Sequence, residues 1–92
     1  MEKKKMNENT VTPQQVEDTI VDKTIKTVEL VDKKHTLVAV KLRNGFTIIE
    51  TATCVDPDNY SEEIGAEVCM AKITNEIWKL EGYLLQDRLS QK

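Results

Sequence analysis

Histidine is nearly absent from this chain: His35 is alone among 92 residues, and cysteine is limited to Cys54 and Cys69. With so few donors, and with no zinc-like cysteine spacing, no metal centre is expected. A Ser-His-Asp or Cys-His set would have to recruit His35 from the polar "DKKH" turn, and three glycines make no phosphate-cradling loop. No catalytic residues and no cofactor are therefore expected, and the chain does not read as an enzyme. No run approaches the roughly 18 apolar residues of a membrane span. No charged-then-apolar leader opens the sequence, so a cytoplasmic protein with reduced thiols is expected.

One Phe, one Trp and two Tyr leave an aliphatic core, drawn from a chain that is 39% apolar and 32% charged. That is enough for one small domain, whose thin core makes self-association an attractive source of further burial. The net charge of -3 argues against binding to a nucleic-acid polymer. The one lysine run, Lys3 to Lys5, belongs to a polar, aperiodic stretch over residues 1–11 that reads as a flexible tail. Residues 12–92 then form a single α+β domain.

Within it, Thr12 as N-cap, Pro13 at the first helical position and Gln15 at the capping-box position predict a short helix over 13–20. Three segments rich in Val, Ile and Thr follow, about 23–31, 36–43 and 46–54, and predict an antiparallel meander. Asn44-Gly45 predicts a two-residue type I′ turn. That turn sets Leu42 opposite Thr47 and Val40 opposite Ile49, with Val38, Val40, Leu42, Thr47, Ile49 and Thr51 on the core face. The opposite face, with Leu37, Ala39, Lys41, Arg43, Phe46, Ile48, Glu50 and Ala52, is mixed. After "VDPDN", where Asp58 or Asn59 is suited to capping, a long C-terminal helix runs from about Tyr60 to Leu89. Ala66, Met70, Ile73, Ile77, Leu80 and Leu84 form its sheet-facing stripe, and Gly82 suggests a bend or break. Cys69 and Trp78 widen the apolar zone, which again points to a homo-oligomer.

The acidic group Asp56, Asp58, Glu62 and Glu63 suits a helix start. A candidate binding set is Arg43, able to fork two hydrogen bonds to a phosphate; Phe46, able to stack on a ring; Asn59 and Asn75, able to read polar edges; and the helix cations Lys72 and Arg88.

"NGF", then "CVDPDNY" followed by "EEIGAEVC", and finally "IWKLEGYLL", resemble a family of small tailed-phage proteins of the N4 and Sf6 type over about residues 36–86. Close to this group lie the Thoeris anti-defence proteins of the first type, sponges that bind cyclic ADP-ribose isomers made by TIR-domain enzymes without cleaving them. The resemblance implies an antiparallel sheet with C-terminal helices, dimers building into hexamers and pockets at subunit interfaces, with a second cyclic-oligonucleotide site in some members. It implies a cyclic nucleotide as ligand, Phe46 as the stacking aromatic, and Lys72 where relatives carry Arg. Action in the bacterial host cytoplasm follows. A different class of function, docking on and modulating a host protein, fits the broad helical surface.

Overall fold

The computed structural model describes residues 9–91. The Lys3–Lys5 run and most of the expected tail lie outside the described residues. The order of elements is helix α1 (Pro13–Thr19), strands β1 (Ile20–Leu30), β2 (Lys33–Leu42) and β3 (Thr47–Thr53), a 3-10 turn (Pro57–Asn59) and helix α2 (Glu62–Ser90). The strands form one antiparallel sheet in the order β1-β2-β3, and α2 lies across β2 and β3, so the architecture is the expected α+β.

The start of α1 follows its sequence signals. Thr12 Oγ1 accepts from Gln15 N at 3.1 Å, and Gln15 Oε1 accepts from Thr12 N at 2.7 Å. This reciprocal box satisfies two amides that a helix start leaves unpaired. Val16 is buried against the core.

The turns depart from expectation in an instructive way. Positive φ at two successive residues, the demand of a two-residue type I′ loop, occurs at Val31 (45°) and Asp32 (66°), joining β1 to β2. A β-branched residue meets a steric penalty there, and Val31 is 88% exposed, so no packing offsets it. At the second hairpin only Gly45 has positive φ (92°), while Gly45 N donates to Leu42 O at 2.8 Å and Leu42 N to Phe46 O at 2.7 Å. The loop is thus three residues, Arg43-Asn44-Gly45, the turn-plus-bulge form in which glycine alone is left-handed. Asn44 Oδ1 supports it by accepting from Phe46 N at 3.1 Å.

One extra loop residue shifts the register by one. Val40 pairs with Ile48 and Val38 with Glu50, correcting the expected Val40–Ile49 pairing. Because side chains alternate, β3 presents its opposite face to the core. Ile48 is 5% exposed and Ile49 59% exposed, and Phe46, Glu50 and Ala52 share the helix side with Ile48.

α2 begins with Ser61, whose Oγ accepts from Ile64 N at 3.2 Å. Asp58 and Asn59 are not its caps; they belong to the 3-10 turn, where Asp56 Oδ1 accepts from Asp58 N at 3.0 Å. The helix is unbroken from Glu62 to Ser90, so Gly82 neither bends it apart nor ends it. Its buried line is Cys69, Ile73 and Ile77, packed on Val38, Val40, Leu42 and Ile48. Leu80 and Leu84, 38% and 41% exposed, stay outside that core because the helix outruns the sheet.

At the other end of α2 the approach is closest. A Cβ on Gly65 would lie 2.1 Å from Thr36 Oγ1, so the helix touches β2 through glycine. Buried Thr36 shares a hydrogen bond with the Tyr60 hydroxyl (2.7 Å), which also bonds Thr27 Oγ1 (2.8 Å). Thr27 then donates to Glu62 Oε2 at 2.6 Å. Cys69 Sγ, one turn on, donates to Thr36 O at 3.7 Å. Among the described residues, no buried side-chain polar atom lacks a partner.

Candidate ligand-binding site

The β2–β3 hairpin tip meets α2 where that helix leaves the sheet. Arg43 stands between them: its amide donates to Thr19 O at 2.8 Å, and its Nη1 donates to Glu81 Oε2 at 2.9 Å and Thr19 Oγ1 at 3.3 Å. Thr19 Oγ1 donates in turn to Gln15 O at 2.8 Å, so the end of α1 fixes the guanidinium from below. The Glu81 side chain is 13% exposed and that of Arg43 52%, so the pair holds the arginine in place while leaving much of its fork in water.

Beside this pair is a cleft of about 170 Å³ walled by Leu42, Arg43, Phe46, Leu80, Tyr83 and Leu84. Phe46 is 54% and Tyr83 73% exposed, two aromatic faces with little apolar cover next to one cation. The arrangement suits a planar ring joined to an anionic group. On the other side of the Arg43–Glu81 pair a more polar cleft of about 240 Å³ is walled by Gln15, Asp18, Thr19 and Arg88. Two arginines there face two carboxylates, so the walls are close to neutral.

Of the six residues expected to bind, Arg43 and Phe46 share the apolar cleft and Arg43 and Arg88 the polar one, so Arg43 alone borders both. Arg43 and Phe46 meet on the helix side of the tip, not on the mixed outer face. Lys72 does not join them: it lies nine residues before Glu81, about 13 Å along the helix. Its Nζ donates to Thr51 O at 2.9 Å, on the edge of β3. Asn75 is exposed on the same helix, and Asn59 lies in the 3-10 turn beside Cys54, beyond the far end of β3. Tyr83, Leu80 and Glu81 enter the cleft unannounced. Their signal was the "LEGYLL" run, which a continuous helix turns into a wall rather than a bend.

His35, the one histidine, bonds Leu30 O at 3.2 Å at the opposite end of the sheet. Burial pushes the Cys69 thiol up, with Lys72 acting weakly the other way, so it stays protonated and unreactive. Among the described residues no three metal-ligating side chains gather, and no helix is long and apolar enough to cross a membrane.

The changed register has an electrostatic result. Glu50, placed on the helix side, reaches Glu76 on α2, and a hydrogen bond shared with Glu50, then desolvation, then the like charge raise the Glu76 carboxyl above its usual range; Lys79 opposes this. A carboxyl raised on folding stabilises below its unfolded pKa and loses that contribution as pH climbs through the folded value. Glu76→Gln is thus expected to raise stability at neutral pH by a few tenths to about 1 kcal/mol, as for other like-charge pairs. The gain should vanish when denaturant melts are repeated near pH 4; a gain constant with pH would show that the two carboxylates do not share a proton.

A family model described as phage protein (N4 Gp49/phage Sf6 gene 66) family matches residues 11–89. The chain belongs to that family. Comparison with curated proteins and with solved structures finds no match.

Proposed function

We propose that this phage-family protein binds and sequesters a cyclic nucleotide immune signal, a cyclic ADP-ribose isomer of the kind made by TIR-domain enzymes, without cleaving it. The observation that carries the reading is the placement of Phe46 and Tyr83 beside the half-free guanidinium of Arg43. In this reading an aromatic takes the adenine, while Arg43 and Arg88 meet the pyrophosphate from the two sides of the Glu81 carboxylate, which accepts from ribose hydroxyls. Sequestration needs tight binding and no nucleophile, which agrees with a cleft that has neither histidine nor cysteine in its walls.

At about 170 Å³ the apolar cleft is smaller than the roughly 300–1,000 Å³ of sites that enclose a whole small molecule. It accommodates one ring, and a second copy of the chain would supply the rest, so the active form is a homo-oligomer, a dimer or a hexamer, working in the host cytoplasm.

Titration calorimetry with cyclic ADP-ribose isomers, followed by heat denaturation and mass analysis of the released nucleotide, tests the reading. Stoichiometric binding and an intact nucleotide are expected. Phe46→Ala should weaken binding about five- to a hundredfold, the range of one base–aromatic stack, with the melting temperature little changed. Absence of binding to every isomer, or steady turnover, would overturn it.

A further inference from the structure

Among the described residues both outer edges of the sheet are free, and they are unlike. β1 is guarded by Asp22, Lys23, Lys26 and Glu29 and by a bulge between Ile20 and Asp22. β3, "TIIETAT", carries one charge, Glu50, and neither proline nor glycine. Lys72 Nζ reaches Thr51 O, so that carbonyl points away from β2. By antiparallel alternation the N–H and C=O groups of Thr47, Ile49, Thr51 and Thr53 point the same way.

α2 overhangs this edge. Ile64 and Val68 are exposed on the β3 side of the helix and, with Ala52 and Cys54, wall a mostly apolar groove of about 160 Å³. Further along the same side stand Lys72 and the Glu50–Glu76 pair. Among the described residues the edge therefore offers an unpaired ladder, an apolar roof and, midway, the half-buried carboxylate of Glu50 turned toward Glu76 on the helix.

We propose that the β3 edge is a docking site for an extended segment of a partner protein, added as a fourth strand, with a lysine or arginine opposite Glu50 and apolar residues two positions to either side. Ladder hydrogen bonds supply the attachment, and alternate side chains supply the choice of partner. The basic residue is set by charge: a cation between Glu50 and Glu76 relieves their repulsion, and an acidic residue there adds to it. A second copy of β3 would set another Glu50 or an uncharged residue near that pair, so a self-paired edge fits less well. The incoming N–H replaces Lys72 at Thr51 O. The site is separate from the hairpin-tip cleft.

The probe is a capped heptapeptide of alternating Thr and Val with a central Lys, and its twin with a central Glu, each titrated into the ¹⁵N-labelled full chain. The Lys peptide is expected to shift the amides of Thr47, Ile49, Thr51 and Thr53 and to bind at least about tenfold more tightly than the Glu peptide. In a Glu50→Gln, Glu76→Gln variant that preference should fall to about twofold or less. Thr51→Pro, tolerable at a sheet edge but without the outward N–H, should lose binding of both peptides. Unshifted β3 amides at millimolar Lys peptide would overturn the proposal, as would an unchanged preference in the double variant. A peptide-free dimer that Thr51→Pro converts to monomer in sedimentation would also overturn it, giving the edge to a second copy.

Discussion

Gly65→Ala is expected to cost about 2–3 kcal/mol, one methyl group notwithstanding, because overpacking at a rigid contact is at the upper end of its usual range. The new Cβ would stand 2.1 Å from Thr36 Oγ1 and 2.7 Å from Thr36 Cβ. Neither atom can yield easily. Thr36 is fully buried in the central strand, and its hydroxyl is held by Tyr60, which is held by Thr27. The helix must lift instead, loosening Cys69 and Ile73 behind it. Alanine's better helix propensity returns about 1 kcal/mol and does not close the gap. Gly82→Ala in the same helix has nothing within 4 Å of its new Cβ, so it should stabilise by up to about 1 kcal/mol. Thermal melts of the two variants should move in opposite directions. Adding Thr36→Ala to Gly65→Ala removes the 2.1 Å contact and should cost less than the sum of the two single changes. Equal, small shifts for both glycines would refute the close approach.

This contact also explains what the family-bearing words encode. In "CVDPDNY" and "EEIGAEVC" the structure uses Tyr60, Gly65 and Cys69 to seat α2 on Thr36. Those words therefore report a fold. The ligand proposal rests on "NGF" and on "LEGYLL", which lie at the other end of the sheet.

Local features were legible wherever a local cause decides them. The Thr12–Gln15 box, the three strands and the long helix all follow from residues a few positions apart. Legibility failed where two local answers were nearly equal. Asn44-Gly45 serves a two-residue loop with both residues left-handed, or a three-residue loop with only glycine so; the strand after it, with Ile48 on one face and Ile49 on the other, does not decide between them. Packing does: α2 needs Ile48 and the small Ala52 beneath it, and accepts half-buried Glu50 as the consequence. The turn at Val31-Asp32 was hidden for another reason, since valine is among the residues least suited to positive φ. Tyr83 and Glu81 could not be placed beside Arg43 from sequence, because that depends on α2 continuing past Gly82.

The register itself carries the second large effect. Ile48→Ala removes a side chain that is 5% exposed among Val40, Leu42 and the helix, and should cost about 2–4 kcal/mol, the transfer term plus that of an unfilled cavity. Ile49→Ala, one residue on, removes a side chain 59% exposed on the uncovered face and should cost under about 1 kcal/mol, mostly lost strand propensity. A two-residue loop at Asn44-Gly45 demands the reverse order, because it turns Ile49 inward and Ile48 out. Urea melts of the two variants measure the difference directly, and a costlier Ile49→Ala would return the hairpin to the tight turn. The same inversion would carry Phe46 and Glu50 away from α2, removing the aromatic from the Arg43 cleft and the carboxylate from Glu76. The stability of two adjacent isoleucines thus tests the framework on which both the cleft and the β3 docking edge depend.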